Sequence, residues 1–259
     1  MASETWKTAI TKVEPNKLLL RGYRIDELMG RVSFAEAIFL AVSGELPTPA
    51  QAKLVNAIFV SSIDHGATPP SALGALNAAS TRATLGACVA AGVLPITQVH
   101  GGAGETAMRM FYDAGKRVEA GATPLEAAAA ILAEMKAKGQ RAAGFGHRIH
   151  TEDPRAVRLL QLARESKVEG RYLAIGAAFE AQLEQSLGKK LPLNVDGAIG
   201  VVLCELGVDP ALGNAFFIIS RVPGLVAHIV EEMSRERPMR HIDIKNHEYD
   251  GPAERPVKN

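Results

Sequence analysis

The chain has 259 residues, 47% of them hydrophobic, enough to bury one sizeable core or one large and one small domain. Its 29 Lys and Arg nearly balance its 28 Asp and Glu, so the formal charge is +1. That balance gives no electrostatic footprint for nucleic acid or an anionic membrane surface. Cys88 and Cys204 stand in apolar settings without metal-type spacing, and are expected as reduced core thiols of a cytoplasmic protein. The N-terminus lacks the basic start and apolar stretch of a signal peptide, and no membrane span is expected because Gly, Pro or charge breaks the apolar runs.

In chain order, a short hairpin is predicted near residues 8–20. Ser33 and Glu36 form a capping-box pair before AEAIFLAV, and Gly44 can end that helix. Thr48-Pro49 opens the next, with Gln51 at the box position. Alanine dominates 72–92 and 126–137, as suits helices. Thr123-Pro124 with Glu126 opens the second alanine-rich run, which Gly139 stops. Asp153-Pro154 and Asp209-Pro210 open two more helices. Alternating β-branched runs are scarce, so the chain reads as mostly α. The polar tail from Asn246 carries Pro252 and Pro256 and is expected to lie extended over a surface or a partner subunit. Two lobes are predicted: residues 1–103 with 214–259 as a large domain, and 104–213 as a small one. Hinges are expected at Gly101-Gly102 and near Gly213, with a ligand cleft between the lobes.

The densest chemistry is GFGHRIHTEDPRA, from Gly144 to Ala156. Glycines allow close backbone approach and aim the imidazole of His147. Asp153 can cap a helix opened by Pro154, which places Arg155 in the first turn of an anion-friendly helix end. Other candidates are spread along the chain. His100 precedes two glycines that suggest a helix start. Asp196 lies in an apolar run, where burial would raise its pKa toward that of a useful base. His65 stands before a turn, and Arg221 is a lone cation in an apolar helix, needing an anionic partner from protein or substrate. Each also has a plainer reading in isolation: His100 as a histidine at a helix contact, Asp196 as a cap for a helix starting at Gly197, His65 as a loop histidine, Arg237 as a solvated charge.

Order changes that balance. RGYRIDELMGRVSFAEAIFLAVSGELPT, then DHG, HGGAGETAMRMF, GFGHRIHTEDPRA, NVDGAIGV, ISRVPGL and ERP cover most of 21–240. The succession resembles the citrate synthase superfamily, in the family's order. The HGGA, GFGHR-DPR and NVD blocks are specific together, though no single one is.

The resemblance implies a mostly α, two-lobed citrate synthase-like fold with a large and a small helical domain. It implies a catalytic trio. His100 would hydrogen-bond the thioester carbonyl and stabilise an enol or enolate. Asp196 would exchange a proton with the acetyl methyl, and His147 would exchange one with the oxaloacetate carbonyl or citryl hydroxyl. His65, Arg155, Arg221 and Arg237 would hold substrate carboxylates, Arg237 from across a dimer. Coenzyme A would lie over Gly144, Phe145 and Gly146, with Arg141 and Arg148 near its phosphates. The thioester is a substrate; no bound cofactor or metal is implied.

The chain departs from citrate synthases in three places. GELPTPAQAKLVNAIFVSSIDHG runs straight through where several helices are usual. The acid after the family's histidine is lost in DHGATPP. The His147–Asp153 spacing is one residue short, with His150 or Thr151 where a basic residue helps bind CoA. The short frame and the terminal RPMRHI…YDG resemble the citryl-CoA lyase branch, including the lyase module of ATP-citrate lyase. That module lacks the HGGA histidine, which this chain keeps. The activity implied is cleavage of citryl-CoA to acetyl-CoA and oxaloacetate, or its reverse, in a homodimer or higher homo-oligomer with no nucleic-acid or membrane partner. The alternatives are a citrate synthase or related 2-oxoacid/acyl-CoA synthase, and a non-catalytic acyl-CoA-binding subunit.

Overall fold

A computed structural model describes residues 5–146 and 151–240, with residues 248, 250, 251 and 253. His147, Arg148 and His150 lie outside the described residues, as does Asn246 at the head of the tail.

The chain starts with an antiparallel meander, β1 (Thr11–Glu14), β2 (Lys17–Leu20) and β3 (Tyr23–Arg24). Val13 pairs with Leu18, and Leu20 with Tyr23. The hairpin predicted over 8–20 thus gains a third strand. Helices follow: α1 (Ile25–Leu28), α2 (Phe34–Ser43), α3 (Pro49–Ser61), α4 (Pro70–Ser80), α5 (Leu85–Val93), α6 (Ala103–Glu119), α7 (Pro124–Ala137), α8 (Pro154–Glu165), α9 (Arg171–Leu187), α10 (Val195–Glu205) and α11 (Gly213–Arg235).

Local chemistry sets their ends. Capping boxes form at Ser33/Glu36, Thr48/Gln51 and Thr123/Glu126, each satisfying two otherwise orphaned N–H groups. Gly44 closes α2 in the left-handed region, at φ +96°. Asp153 caps α8. Asp209-Pro210 departs from expectation, opening only the 3-10 turn Pro210–Leu212 before α11 begins.

Two apolar clusters form the interior. The larger joins α2, α3 and α6–α10, with Phe111 and Phe179 fully buried. Burying such side chains contributes about 1.5–3 kcal/mol each relative to leaving them exposed. The smaller joins Ala75 and Ala79 of α4, Cys88 of α5, and Leu225 and Ile229 of α11. α11 belongs to both, because its Phe216 enters the larger cluster. It therefore touches α3, α4, α5 and α6 in turn. The stretch 210–235 has the length and hydropathy of a membrane span, a point the breaks at Gly, Pro and charge had obscured; its Phe216, Leu225 and Ile229 lie in the interior. Cys88 and Cys204 are buried free thiols.

The chain passes residues 103–104 and 213–214 side by side. A β-carbon on Gly104 would lie 3.3 Å from the Gly213 carbonyl oxygen, and Glu105 N donates to Asn214 Oδ1 at 3.1 Å.

Candidate active site

The GFG turn and the NVD block are stitched together by backbone. Gly146 N donates to Pro192 O at 2.8 Å, Asn194 N to Gly144 O at 3.0 Å, and Asn194 Nδ2 to Gly146 O at 2.8 Å. Phe145 bridges Leu193 antiparallel. Gly144 and Gly146 have φ of +86° and +75°, which favour glycine. The turn leading to His147 is therefore fixed to the N-terminus of α10, in whose first turn Asp196 lies. The cap of α10 is Asn194, whose Oδ1 accepts Gly197 N–H at 3.1 Å. Asp196 is not the cap, so its carboxylate is left for other work.

Asp153 extends this knot to α8. Its carboxylate is almost wholly buried and accepts the Arg155 N–H, Arg155 Nε and Nη2, and the Val195 N–H at 3.2 Å. Burial pushes its pKa up, but the Arg155 guanidinium and the two N–H groups outweigh burial and hold it below the usual carboxylate range. Asp153 thus ties the DPR block to the residue before Asp196. Sequence reasoning saw its cap role and missed the link; no spacing rule connects positions 153 and 195.

His100 sits in a tight turn in which residues 97 and 100 exchange backbone hydrogen bonds. α6 starts only at Ala103, after the glycine pair. The pair serves close packing: at Gly101, φ +71°, a β-carbon would meet the Phe217 ring at 2.2 Å, and at Gly102 one would meet Thr97 O at 2.4 Å. Ser71 N donates to His100 Nε2 at 3.3 Å, and Ser71 Oγ lies 2.9 Å from the same nitrogen. A backbone N–H can only donate, so the neutral ring carries its proton on Nδ1. The ring meets Phe217 edge-on. Ser71 was not singled out from sequence; it sits in an ordinary helix start, PPSALG.

Arg221 joins His100 through Ser71. It is 3% exposed, donates Nε to Ser62 O at 3.0 Å and Nη1 to Ser71 Oγ at 3.4 Å, and lies over the Phe217 ring. No carboxylate within ion-pair distance of it is found among the described residues. Burial lowers its pKa, partly offset by the charges of Asp64 and Asp196. Asp196 in turn has its pKa raised by burial, against the pull of Arg155 and Arg221 and with a push from Asp153. His100, Ser71, Arg221, Arg155 and Asp196 thus form one connected electrostatic set.

The other predicted residues differ in setting. His65 is partly buried at the turn after α3, and Arg155 is already paired with Asp153. Gly144 is buried, with Phe145 and Gly146 partly so; Arg141 and Arg237 are exposed.

A sequence profile of the citrate synthase C-terminal domain matches residues 47–242. The chain belongs to the citrate synthase family. Citrate synthase 2 of Bacillus subtilis is 27% identical over 209 residues, 80% of this chain and 54% of that protein. The chain spans about half the length of the curated relatives it matches. Among solved structures, citryl-CoA lyase from Hydrogenobacter thermophilus is similar at TM-score 0.90 and 40% identity, covering 98% of this chain and 97% of that one. ATP citrate lyase of Methanosaeta concilii, in complex with (3S)-citryl-CoA, is similar at TM-score 0.83 and 25% identity, covering 98% of this chain and 43% of that one. In this citrate synthase-family chain a single helix, α3, runs from GELPT to the DHG turn, so the short frame is a property of the fold.

Proposed function

We propose that the chain is a citryl-CoA lyase-like enzyme, cleaving citryl-CoA to acetyl-CoA and oxaloacetate by a retro-Claisen step, or running the reverse condensation. The observation that carries this reading is Arg221: a buried guanidinium with no carboxylate in ion-pair range among the described residues, sharing Ser71 with His100. A buried cation in that position suits a carboxylate brought by the substrate. The likeness to a citryl-CoA lyase over nearly the whole chain supports the same reading.

In cleavage, His147 takes the citryl hydroxyl proton as the carbon–carbon bond breaks. The electron pair moves into the thioester, and His100 Nδ1–H stabilises the enolate oxygen. Asp196, kept more readily protonated by burial, returns a proton to carbon. Arg221, Arg155 and His65 hold the carboxylates of the oxaloacetate half, with Arg237 reaching over from a second subunit. The CoA chain lies along Gly144–Gly146, with Arg141 and Arg148 beside its phosphates. The lobes 1–103 with 214–259 and 104–213 close over the substrate about Gly101-Gly102 and the turn near Gly213. The enzyme works as a homodimer in the reducing cytoplasm.

The test is a direct assay of synthetic citryl-CoA beside acetyl-CoA plus oxaloacetate, following acetyl-CoA, free CoA and citrate. Cleavage with slow or absent citrate formation is expected, because the helices missing between the GELPT block and the DHG turn are those that would help close a hydrolytic site. Free CoA and citrate released at about 1 s⁻¹ or faster would make the protein a citrate synthase in a short frame. No deuterium exchange into the acetyl-CoA methyl would leave only a binding subunit.

A further inference from the structure

Three residues on one face of α11 hold the three consecutive residues that precede His65. Arg221 donates to Ser62 O. Three positions on, Gly224 lies under residues 63 and 64; a β-carbon there would meet Ile63 O at 2.2 Å and Asp64 Cβ at 3.1 Å. Four further on, His228 Nε2 lies 3.0 Å from Asp64 Oδ1. The spacing i, i+3, i+7 puts all three on a single helical face.

The last contact differs from the first two, because Asp64 also shapes the turn. Its Oδ2 accepts Gly66 N–H at 2.8 Å, and the carboxylate accepts the His65 N–H as well. Burial pushes the Asp64 pKa up, but these N–H groups and His228 outweigh burial, so the carboxylate is held ionised. An ionised carboxylate only accepts, so His228 Nε2 donates to it. The imidazole is mostly covered, whereas Asp64 is 39% exposed. The Gly66 and His65 N–H groups belong to the turn itself, so His228 is the partner that ties the Asp64 carboxylate to the helix behind it.

We infer that His228 is a positioning residue: through Asp64 it fixes the backbone turn that presents His65 to the substrate carboxylate. The inference rests on the proposed carboxylate-binding role of His65, and deepens it by naming what holds that histidine.

The experiment uses the full chain with variants His228→Ala, His228→Gln, Asp64→Ala, the double Asp64→Ala/His228→Ala, and His65→Ala. Hydrogen exchange of the His65 and Gly66 amides is read in the free protein, and oxaloacetate binding and citryl-CoA kinetics are read alongside. In His228→Ala, exchange at Gly66 should quicken about tenfold while α4 and α11 keep wild-type protection. Oxaloacetate affinity and KM should worsen about tenfold with kcat within about twofold, as for loss of one hydrogen bond to a charged group. His228→Gln, which keeps a donor, should restore most of the loss, and the double variant should be no worse than Asp64→Ala alone. Wild-type exchange at Gly66 in His228→Ala, or additive effects in the double variant, would overturn the inference. If His65→Ala binds oxaloacetate as the wild type does, the reading of His65 fails, and the Gly66 exchange still decides the latch.

Discussion

A β-carbon on Gly197 would come 2.1 Å from the carbonyl oxygen of Gly144, so the helix bearing Asp196 and the turn leading to His147 meet backbone to backbone. Neither side can yield by turning a side chain. Gly197→Ala should therefore behave as overpacking against backbone, costing about 1–3 kcal/mol or more. Thermal unfolding should show a lowered Tm, and citryl-CoA turnover should fall further than stability alone accounts for. A variant with wild-type Tm would mean that the contact is looser than it stands.

Asp196→Asn separates activity from stability. Losing a general acid–base group should reduce turnover by about 10²–10⁴-fold. Burial raises the Asp196 pKa above its ordinary 3.8, so the ionised carboxylate works against the folded state. The contribution of this group is fully present below the unfolded value and is lost as pH rises through the raised one. Asparagine resembles the neutral acid at every pH. The variant should thus melt higher than wild type at neutral pH, the gap closing as pH falls toward about 4. Equal melting across that range would argue that Asp196 is not strained by its surroundings.

Ser71→Ala removes an oxygen that serves both His100 and Arg221. Ser71 is fully buried, and its hydroxyl accepts from Arg221 and leaves its own proton for His100 Nε2. The expected result is about a tenfold fall in kcat, the scale of one buried hydrogen bond, with the fold intact by circular dichroism. Nitrogen chemical shifts of the His100 ring should show Nε2 perturbed by loss of the hydroxyl contact, while the backbone N–H at position 71, which alanine keeps, still holds the Nδ1–H tautomer. An unchanged kcat together with an unchanged Nε2 shift would remove Ser71 from the site.

The dimer is tested by complementation. His147→Ala and Arg237→Ala subunits should each be nearly inactive alone. If Arg237 acts across the interface, one site of every mixed dimer is intact, so an equal mixture should recover about a quarter of wild-type activity. Light scattering should give a dimer, with an interface above ~2,000 Å². No recovery on remixing would return Arg237 to the solvated surface.

The helix ends were readable because capping is local: Ser33, Thr48, Thr123 and Asp153 act within three residues of themselves. The proposed trio and its cations rest on their order along the chain, since His100 and Asp196 alone fit plainer roles. What stayed hidden was contact between distant blocks. Nothing near Ser71 signals that it joins His100 to Arg221, and nothing near Asp153 signals the Val195 N–H. Such links are set by helix packing, which pattern does not reach. Asp209-Pro210 shows the converse, a sound local start signal that opens a single 3-10 turn running directly into α11 at Gly213.

α11 also constrains how this protein can change by descent. Phe217 faces the His100 turn, Arg221 and Gly224 face residues 62–64, and Leu225 and Ile229 anchor the α4–α5 pair. A homologue's α11 grafted in alone would bring its own side chains against a foreign loop and a foreign Gly101. Helix and loop should therefore be inherited as a pair. Chimaeras that exchange residues 61–71 together with 213–235 should keep activity that either exchange alone destroys.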